Sequence, residues 1–401
     1  MIRPPFTRKH GAASFPKRSG HRLDLLVDGQ RFFPAMLETI AEARQYILME
    51  MYLFESGALA ERFIDALLAA AARDVTVRLL IDDFGALGLQ AQDRSRLREG
   101  GVTLAFYNPL RVGRLSANLH RDHRKLLLVD GQVAFTGGSG ITDDFDPTVR
   151  PQGWWHDLML RIEGPVTADW QHLFENAWHR SISDDVPALP RPAPSAAGPH
   201  VARVVVNDGR RRDIQRRLAR CITQAHHRIS ISVAYFVPPL RIRAALRRAA
   251  LRGVEVHLIV PGLHTDHQAA RYAGRRFYTQ LLRAGVHIHE YTPRFTHVKL
   301  MICDDWVSLG SANLDHWTLR WNLEANLEVD GASFAEVAQL AFEDDLAQAR
   351  EITLSAWRAR SRRTRIKEWF WSLISGWLAR RGPPGRDRHR PRTQPAPERR
   401  G

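Results

Sequence analysis

The chain has 401 residues, with 58 Lys and Arg against 43 Asp and Glu, a net charge of +15. That length exceeds one ordinary core and fits two domains, each able to bury most of its apolar surface around a core of its own. The only cysteines, Cys221 and Cys303, stand in no paired spacing, which excludes a disulfide framework and a cysteine zinc site and points to a reducing compartment. No run reaches the roughly 18 apolar residues needed to cross a bilayer, and the basic start of the chain lacks the apolar stretch of a signal peptide.

Charge is unevenly placed. Residues 1–23 hold six basic and no acidic side chains and residues 352–401 hold fourteen basic against three acidic, which makes +6 and +11 and leaves about −2 for the body. A nucleic-acid enzyme would carry its positive field along the groove that holds the phosphates. Here the field lies in the tails, so no nucleic-acid partner is expected.

In chain order, residues 1–22 read as a basic disordered segment and residues 23–184 as a first domain. Tyr46–Phe54 is strand-like, Leu59–Arg73 has apolar or Ala residues at helical spacing, and Val75–Ile81 and Gly101–Leu104 open further strands. Then comes His123-Arg124-Lys125 with Asp130, a His-x-Lys-x4-Asp pattern, followed by Gly137-Gly138-Ser139-Gly140 and by Asp157 on the next strand pattern. Asp130-Gly131 between apolar strands has the chemistry of a hairpin turn. Ser183–His200 is proline-rich, and a linker is placed at 185–200. The second domain, 201–350, repeats the plan: Arg228–Val237, Leu240–Arg252, Val254–Val260, Gly285–Ile288, then His297-Val298-Lys299 with Asp304, Gly310-Ser311-Ala312-Asn313 and Glu324. Six residues separate Asp130 from Gly137 and five separate Asp304 from Gly310, so the spacing after the pattern repeats to within one residue. Helix patterns alternating with strands in both halves predict largely parallel α/β sheets covered by helices. Residues 351–381 carry Ile366, Trp369, Phe370, Leu373, Ile374, Trp377 and Leu378 at helical spacing between basic flanks, as expected of a helix lying in an anionic membrane interface. Packing of that stripe on the body is the alternative. Residues 382–401, rich in Pro, Arg and Gly, read as a disordered tail.

The repeated pattern stands out because lysine is otherwise scarce. Only Lys9, Lys17, Lys125, Lys299 and Lys367 occur against 53 Arg, and both lysines of the body sit in the pattern. In a strand, residues i and i+2 share a face, so each half presents an imidazole beside an ammonium. Lysine is a compact charge suited to a phosphate oxygen. If the halves pack about a pseudo-twofold, two His and two Lys meet on one phosphoryl group: one His attacks phosphorus, the other protonates the leaving oxygen, and the lysines stabilise the charge without a metal. No His, Cys and carboxylate set completes a zinc site, and no cofactor is expected.

These residues resemble the phospholipase D superfamily, whose hallmark is a duplicated His-x-Lys-x4-Asp element with a trailing Gly-Gly/Ser-x-Asn. Within it, His120–Asp130, Ala134–Gly138, Gly310–Asp315 and Asn322–Val329 are most similar to bacterial cardiolipin synthases without transmembrane helices, over residues 22–350. The resemblance implies the phospholipase D-like fold, two similar αβα sandwich domains with mixed, mostly parallel sheets, related by a pseudo-twofold axis. It also implies transfer of a phosphatidyl group from phosphatidylglycerol, through a covalent histidine adduct, to a second phosphatidylglycerol, giving cardiolipin and glycerol. It implies a catalytic set of His123, Lys125, Asp130, His297, Lys299 and Asp304, with His123 as nucleophile, His297 as general acid and base, and the two aspartates as framework. Ser139, Ser311 and Asn313 would bind phosphate, and Asp157 and Glu324 would orient the histidines. The expected location is peripheral, on the cytoplasmic face of the membrane. Gly140 departs from the pattern, standing where the family has its first Asn. Hydrolysis of phospholipid or nucleic acid on the same fold is the alternative, and a non-catalytic lipid-binding scaffold is a third reading.

Overall fold

The computed structural model describes residues 15–371 apart from 112, 114–117, 183–186, 191–192, 209–210, 316–317, 362–364 and 367. The first half contributes β1 (Arg18–Val27), β2 (Tyr46–Met51), β3 (Thr76–Asp82), β4 (Thr103–Tyr107), β5 (Lys125–Val129), β6 (Val133–Gly137) and β7 (Leu158–Glu163). The second contributes β8 (His200–Asp208), β9 (Arg228–Val233), β10 (Phe236–Val237), β11 (Glu255–Pro261), β12 (His287–Tyr291), β13 (Lys299–Cys303), β14 (Trp306–Gly310), β15 (Leu314–Asp315), β16 (Leu323–Asp330) and β17 (Ala349–Glu351). Strand order runs 17-12-11-9-13-14-16-8-1-7-6-5-2-3-4, a mirror-like sequence about the β8–β1 junction, with β10 and β15 paired apart.

The mixed character of the sheet has a definite layout. Parallel pairs join β2, β3 and β4 and, in the second half, β9, β11 and β12, where helices such as Ala58–Ala71 and Leu240–Leu251 make the crossovers. The central strands are antiparallel, so parallel pairing is less extensive than the alternation of helices and strands implies. Tight turns at Asp130 and Asp304 join β5 to β6 and β13 to β14, and a two- or three-residue turn can only connect antiparallel strands.

All five residues of β5 and of β13 are buried, so both faces of these strands meet apolar layers. Leu126 and Leu128 enter a central cluster that also takes Trp170, Trp178, Leu300, Leu309, Leu327 and Phe342. Leu127 and Val129 face an outer cluster built only by the first half, and Met301 and Cys303 face its counterpart in the second. The expectation of one core per half is therefore corrected: the largest apolar layer is shared, because the helices Thr167–Ser181 and Ala332–Ala347 and the inner strands of both halves join in one continuous cluster.

Boundaries shift for local reasons. The basic segment expected to be disordered through residue 22 is strand from Arg18, held by the Arg18 guanidinium on both oxygens of Asp169 (2.7 and 2.8 Å) and by pairing with β8. Part of the proline-rich linker is tied to the body, since the carbonyls of Pro187 and Pro190 accept from Arg78 and Gln171. At the other end, β17 pairs with β12, and Trp357 is buried with its indole N–H on Thr279 (2.9 Å), so the packed alternative holds for the start of residues 351–381. Glu368 is buried between Arg275 and Arg360 (3.0 and 3.1 Å), while Ile366, Trp369 and Phe370 stay exposed. Leu373, Ile374, Trp377, Leu378 and the segment 382–401 lie outside the described residues.

Asp130 and Asp304 do the framework work expected from their turn chemistry, which takes them out of the catalytic set in which the repeated pattern placed them. Both adopt left-handed backbone (φ 51° and 49°), which Asp tolerates better than most residues. The Asp130 carboxylate accepts the amides of Arg44, Gln45 and Tyr46 at 2.8–2.9 Å, and Asp304 accepts those of His226, His227 and Arg228 at 2.8–3.0 Å. They cap the start of β2 and β9, at the end of the sheet opposite the lysines. The first turn is one residue longer than the second, which accounts for the unequal six- and five-residue spacings. Asp130→Ala and Asp304→Ala should each lower stability by about 1–3 kcal/mol through three lost charge-assisted bonds. Denaturant melts should show this with activity per folded molecule preserved; loss of turnover at full folding would return the aspartates to the chemistry.

Candidate active site

The two motif strands begin where the halves meet. The His123 N–H donates to the Leu323 carbonyl (2.9 Å) and the Leu323 N–H to that of Arg121 (2.9 Å); the His156 N–H donates to Phe295 (2.9 Å) and the His297 N–H to His156 (2.7 Å). Each motif strand is thus laced to the strand start of the other half that bears the acidic residue. Residues i and i+2 share a face, so His123 and Lys125, and His297 and Lys299, project together.

The carboxylates follow from this lacing. His123 Nδ1 lies 3.1 Å from Glu324 Oε1 and 3.2 Å from Oε2, and His297 Nδ1 lies 2.9 Å from Asp157 Oδ2. Each acid therefore orients the histidine of the opposite half, a pairing that adjacency in sequence did not disclose. A ring nitrogen beside a carboxylate carries the proton, which leaves Nε2 with its lone pair. Lys299 Nζ also lies 2.9 Å from His297 Nδ1, but an ammonium and an N–H cannot donate to each other; the lysine donates instead to the His297 carbonyl. Ser311 donates to Glu324, and the Leu158 amide donates to Asp157 (2.8 Å).

Burial controls the titration of the site. It lowers both histidines, His297 well below its ordinary value, so the imidazoles are neutral. It brings Lys125 down to about 7 and Lys299 to about 8; for Lys125 the charge of Lys299 adds to the effect. Burial also raises Asp157, against the opposing charge of Lys299. An anion bound beside two such lysines would supply the counter-charge that returns them to the ammonium form.

The cleft over these groups encloses about 820 Å³, with His123, Lys125, His297, Asn313 and Asn322 among its lining and Tyr52, Phe84, Phe145, Trp155, Tyr235 and Trp371 in its walls. Asn313 is 1% exposed, and neither its amide nitrogen nor its oxygen has a protein partner. A buried amide left so is costly unless a ligand satisfies it. Strand register makes Gly140 the mate of Asn313. A Cβ at Gly140 would stand 2.7 Å from the Leu53 carbonyl oxygen and from its Cβ, so the first half has no room for the family asparagine.

Several expected roles move. Ser139 and Ser311 do not line the cleft: both are buried, and Ser311 is spent on Glu324, which corrects their assignment to phosphate. Nor are they mates, since register pairs Ser311 with Gly138, where a Cβ would strike Asp157 at 2.4 Å. Lys125 lines the cleft and Lys299 does not, although both are buried and each donates to the carbonyl of its own motif histidine. Tyr52 was missed; its ring lies 4.7 Å from the His123 ring and 5.2 Å from the Lys125 ammonium, contributing a cation–π contact. Asn322 and Trp155 were missed too, although each stands two residues before an orienting acid and so shares its face. Trp155, Phe145 and Phe295 surround His297, with ring centroids 5.3–5.8 Å away. Beneath His123 lies a buried network, Arg124 with Asp122 and Glu50 and Arg121 with Asp82, that the second half replaces with Val298, Thr296 and Ser232. Among the described residues no group of His, Cys, Asp and Glu is arranged to hold a metal ion.

Since kcat/KM reports the free enzyme, it should decline as pH passes about 7 to 8, where Lys125 and Lys299 lose their protons. Lys125→Arg should carry the alkaline limb upward while reducing the rate. A limb near pH 10 in the native enzyme would contradict the buried-lysine arrangement.

Residues 36–178 and 218–346 match the family described as cardiolipin synthase, PLD-like domain. The chain is 30% identical to the probable cardiolipin synthase YwiE of Bacillus subtilis, over 93% of this chain and 75% of that one. It is 35% identical to cardiolipin synthase B of Salmonella typhimurium, over 79% and 78%, and 33% identical to cardiolipin synthase A of Pseudomonas aeruginosa, over 84% and 69%. Among solved structures, phosphatidylserine synthase of Haemophilus influenzae superposes with a TM-score of 0.68 at 13% identity, covering 89% of this chain and 92% of that one, which shows a common fold. With two imidazole–lysine pairs meeting in one cleft and relatives matching both halves, this chain belongs to the cardiolipin synthase family of phospholipase D-like phosphatidyltransferases.

Proposed function

We propose that the enzyme makes cardiolipin from two molecules of phosphatidylglycerol through a phosphohistidine. The observation that carries this reading is the pair of imidazoles, each with Nδ1 engaged by a carboxylate and Nε2 left bare, beside Lys125 and the unpartnered amide of Asn313. His123 Nε2 attacks phosphorus; the P–N bond forms as the bond to the head-group glycerol breaks. His297, made an imidazolium with the help of the bound phosphodiester's negative charge, gives that glycerol oxygen a proton. Glycerol leaves, and a head-group hydroxyl of the second phosphatidylglycerol yields its proton to His297 and attacks phosphorus. The P–N bond then breaks, and His123 is restored. Lys125, Lys299 and Asn313 hold the phosphate oxygens, and the lysines stabilise the charge that builds on them.

Aromatic walls suit this substrate. Tyr52, Phe84, Phe145, Trp155 and Trp371 give a phosphate-sized polar floor an apolar surround, as a diacylglycerol requires. Exclusion of water by the same walls would favour a lipid hydroxyl over hydrolysis at the adduct. Among the described residues no helix is long and apolar enough to cross a membrane, and we assign the enzyme a peripheral place on the cytoplasmic face, with anionic phospholipid as its partner surface.

Expression in cells lacking cardiolipin, followed by lipid mass spectrometry, tests the proposal. Cardiolipin should accumulate with the native chain, and His123→Ala and His297→Ala should each cut it by about a thousandfold while remaining folded. Phosphatidic acid in its place would identify a hydrolase.

A further inference from the structure

Twelve large apolar side chains are exposed among the described residues, and their placement is lopsided. Nine stand at the end of the sheet that carries the cleft. Phe84 and Leu87 follow β3, Leu110 follows β4, Leu263 follows β11, Leu240 begins the helix after β9 and β10, and Val27 ends β1 beside the start of β7. The remaining three sit on the last stretch before Trp371, which itself reaches the cleft wall. Only Leu251, Val337 and Leu340 lie elsewhere, on the helices Leu240–Leu251 and Ala332–Ala347. Scattered exposed leucines need no explanation, but a ring of them around one opening does.

Charge follows the same ring. Exposed Arg111 comes directly after Leu110, and exposed Arg241 after Leu240. An apolar tip beside a cation is the combination that inserts below lipid head groups while pairing with their phosphates. A second protein would leave unexplained why these residues gather at the end of the sheet where the cleft opens, through which, on the reading above, a lipid must pass.

We infer that this rim is a bilayer-docking face: the body itself, through the loops after β3, β4 and β11, seats the cleft mouth on an anionic lipid surface. The inference rests on the phosphatidylglycerol reading, and it makes the carboxy-terminal stretch an addition to a face the fold already presents. Docking in this orientation would bring a head group toward the histidines with its acyl chains still directed to the bilayer.

The test uses the full-length chain and sedimentation with vesicles of mixed phosphatidylglycerol and phosphatidylcholine. The triple variant Leu87→Ser, Leu110→Ser, Leu263→Ser changes residues 63%, 40% and 73% exposed and absent from the cleft lining, so folding should persist. Its vesicle partitioning should fall about tenfold or more, since full insertion of even one leucine is worth roughly a factor of ten. Transfer on detergent-dispersed phosphatidylglycerol should stay within about threefold of native. The control Val337→Ser, Leu340→Ser should partition as native. Native-like partitioning of the triple variant, an equal fall in the control, or a fall seen only in Ile366→Ser, Trp369→Ser, Phe370→Ser would overturn the docking face. Absence of transfer by the native chain on detergent-dispersed lipid would instead overturn the functional reading, leaving the partitioning result to stand separately.

Discussion

The site depends on four backbone hydrogen bonds that cross between the halves. Through them the strand start carrying His123 lies against the one carrying Glu324, and that carrying His297 against the one carrying Asp157. Neither half holds a complete site: each provides an imidazole and the carboxylate that orients the other's imidazole. Because the crossing bonds are made by backbone, the imidazole–carboxylate distances are set by sheet geometry rather than by flexible side chains. The shared apolar layer behind β5, β7, β13 and β16 holds that register in place.

Symmetry brings the groups together, and departures from it make the two sides unlike. Asn313 faces the cleft on one side, while Gly140 on the other is kept small by the Leu53 carbonyl. His297 is ringed by Phe145, Trp155 and Phe295, whereas His123 has Tyr52 and a buried ionic network beneath it. In a reaction where one imidazole bonds to phosphorus and the other moves protons, such a difference adds to the asymmetry that the bound substrate itself imposes.

Burial makes the lysines responsive. An ammonium in this cleft loses hydration without a full complement of carboxylates, and Lys125 descends to about 7. On the proposed reaction, the anionic substrate is then also the group that restores this charge, which would make binding and electrostatic activation one event. The apolar walls that lower the lysines are those that suit a lipid, and the exposed leucines continue this apolar character outward around the mouth.

Sequence alone determined the duplicated plan, the two His–Lys pairs and the turn chemistry of Asp130, because these rest on local spacing: alternation puts His and Lys on one face, and Asp tolerates the left-handed turn. It also reached Asp157 and Glu324 as orienting acids, through resemblance. Tertiary structure alone decided which acid serves which histidine, that Ser139 and Ser311 lie behind the cleft, that Gly140 has no space for a side chain, and that the apolar layer between the halves is shared. The pairing of acids with histidines spans 201 and 140 residues of chain, and pairing at that separation is set by the packing of the two halves, for which no local pattern of residues is a sufficient signal.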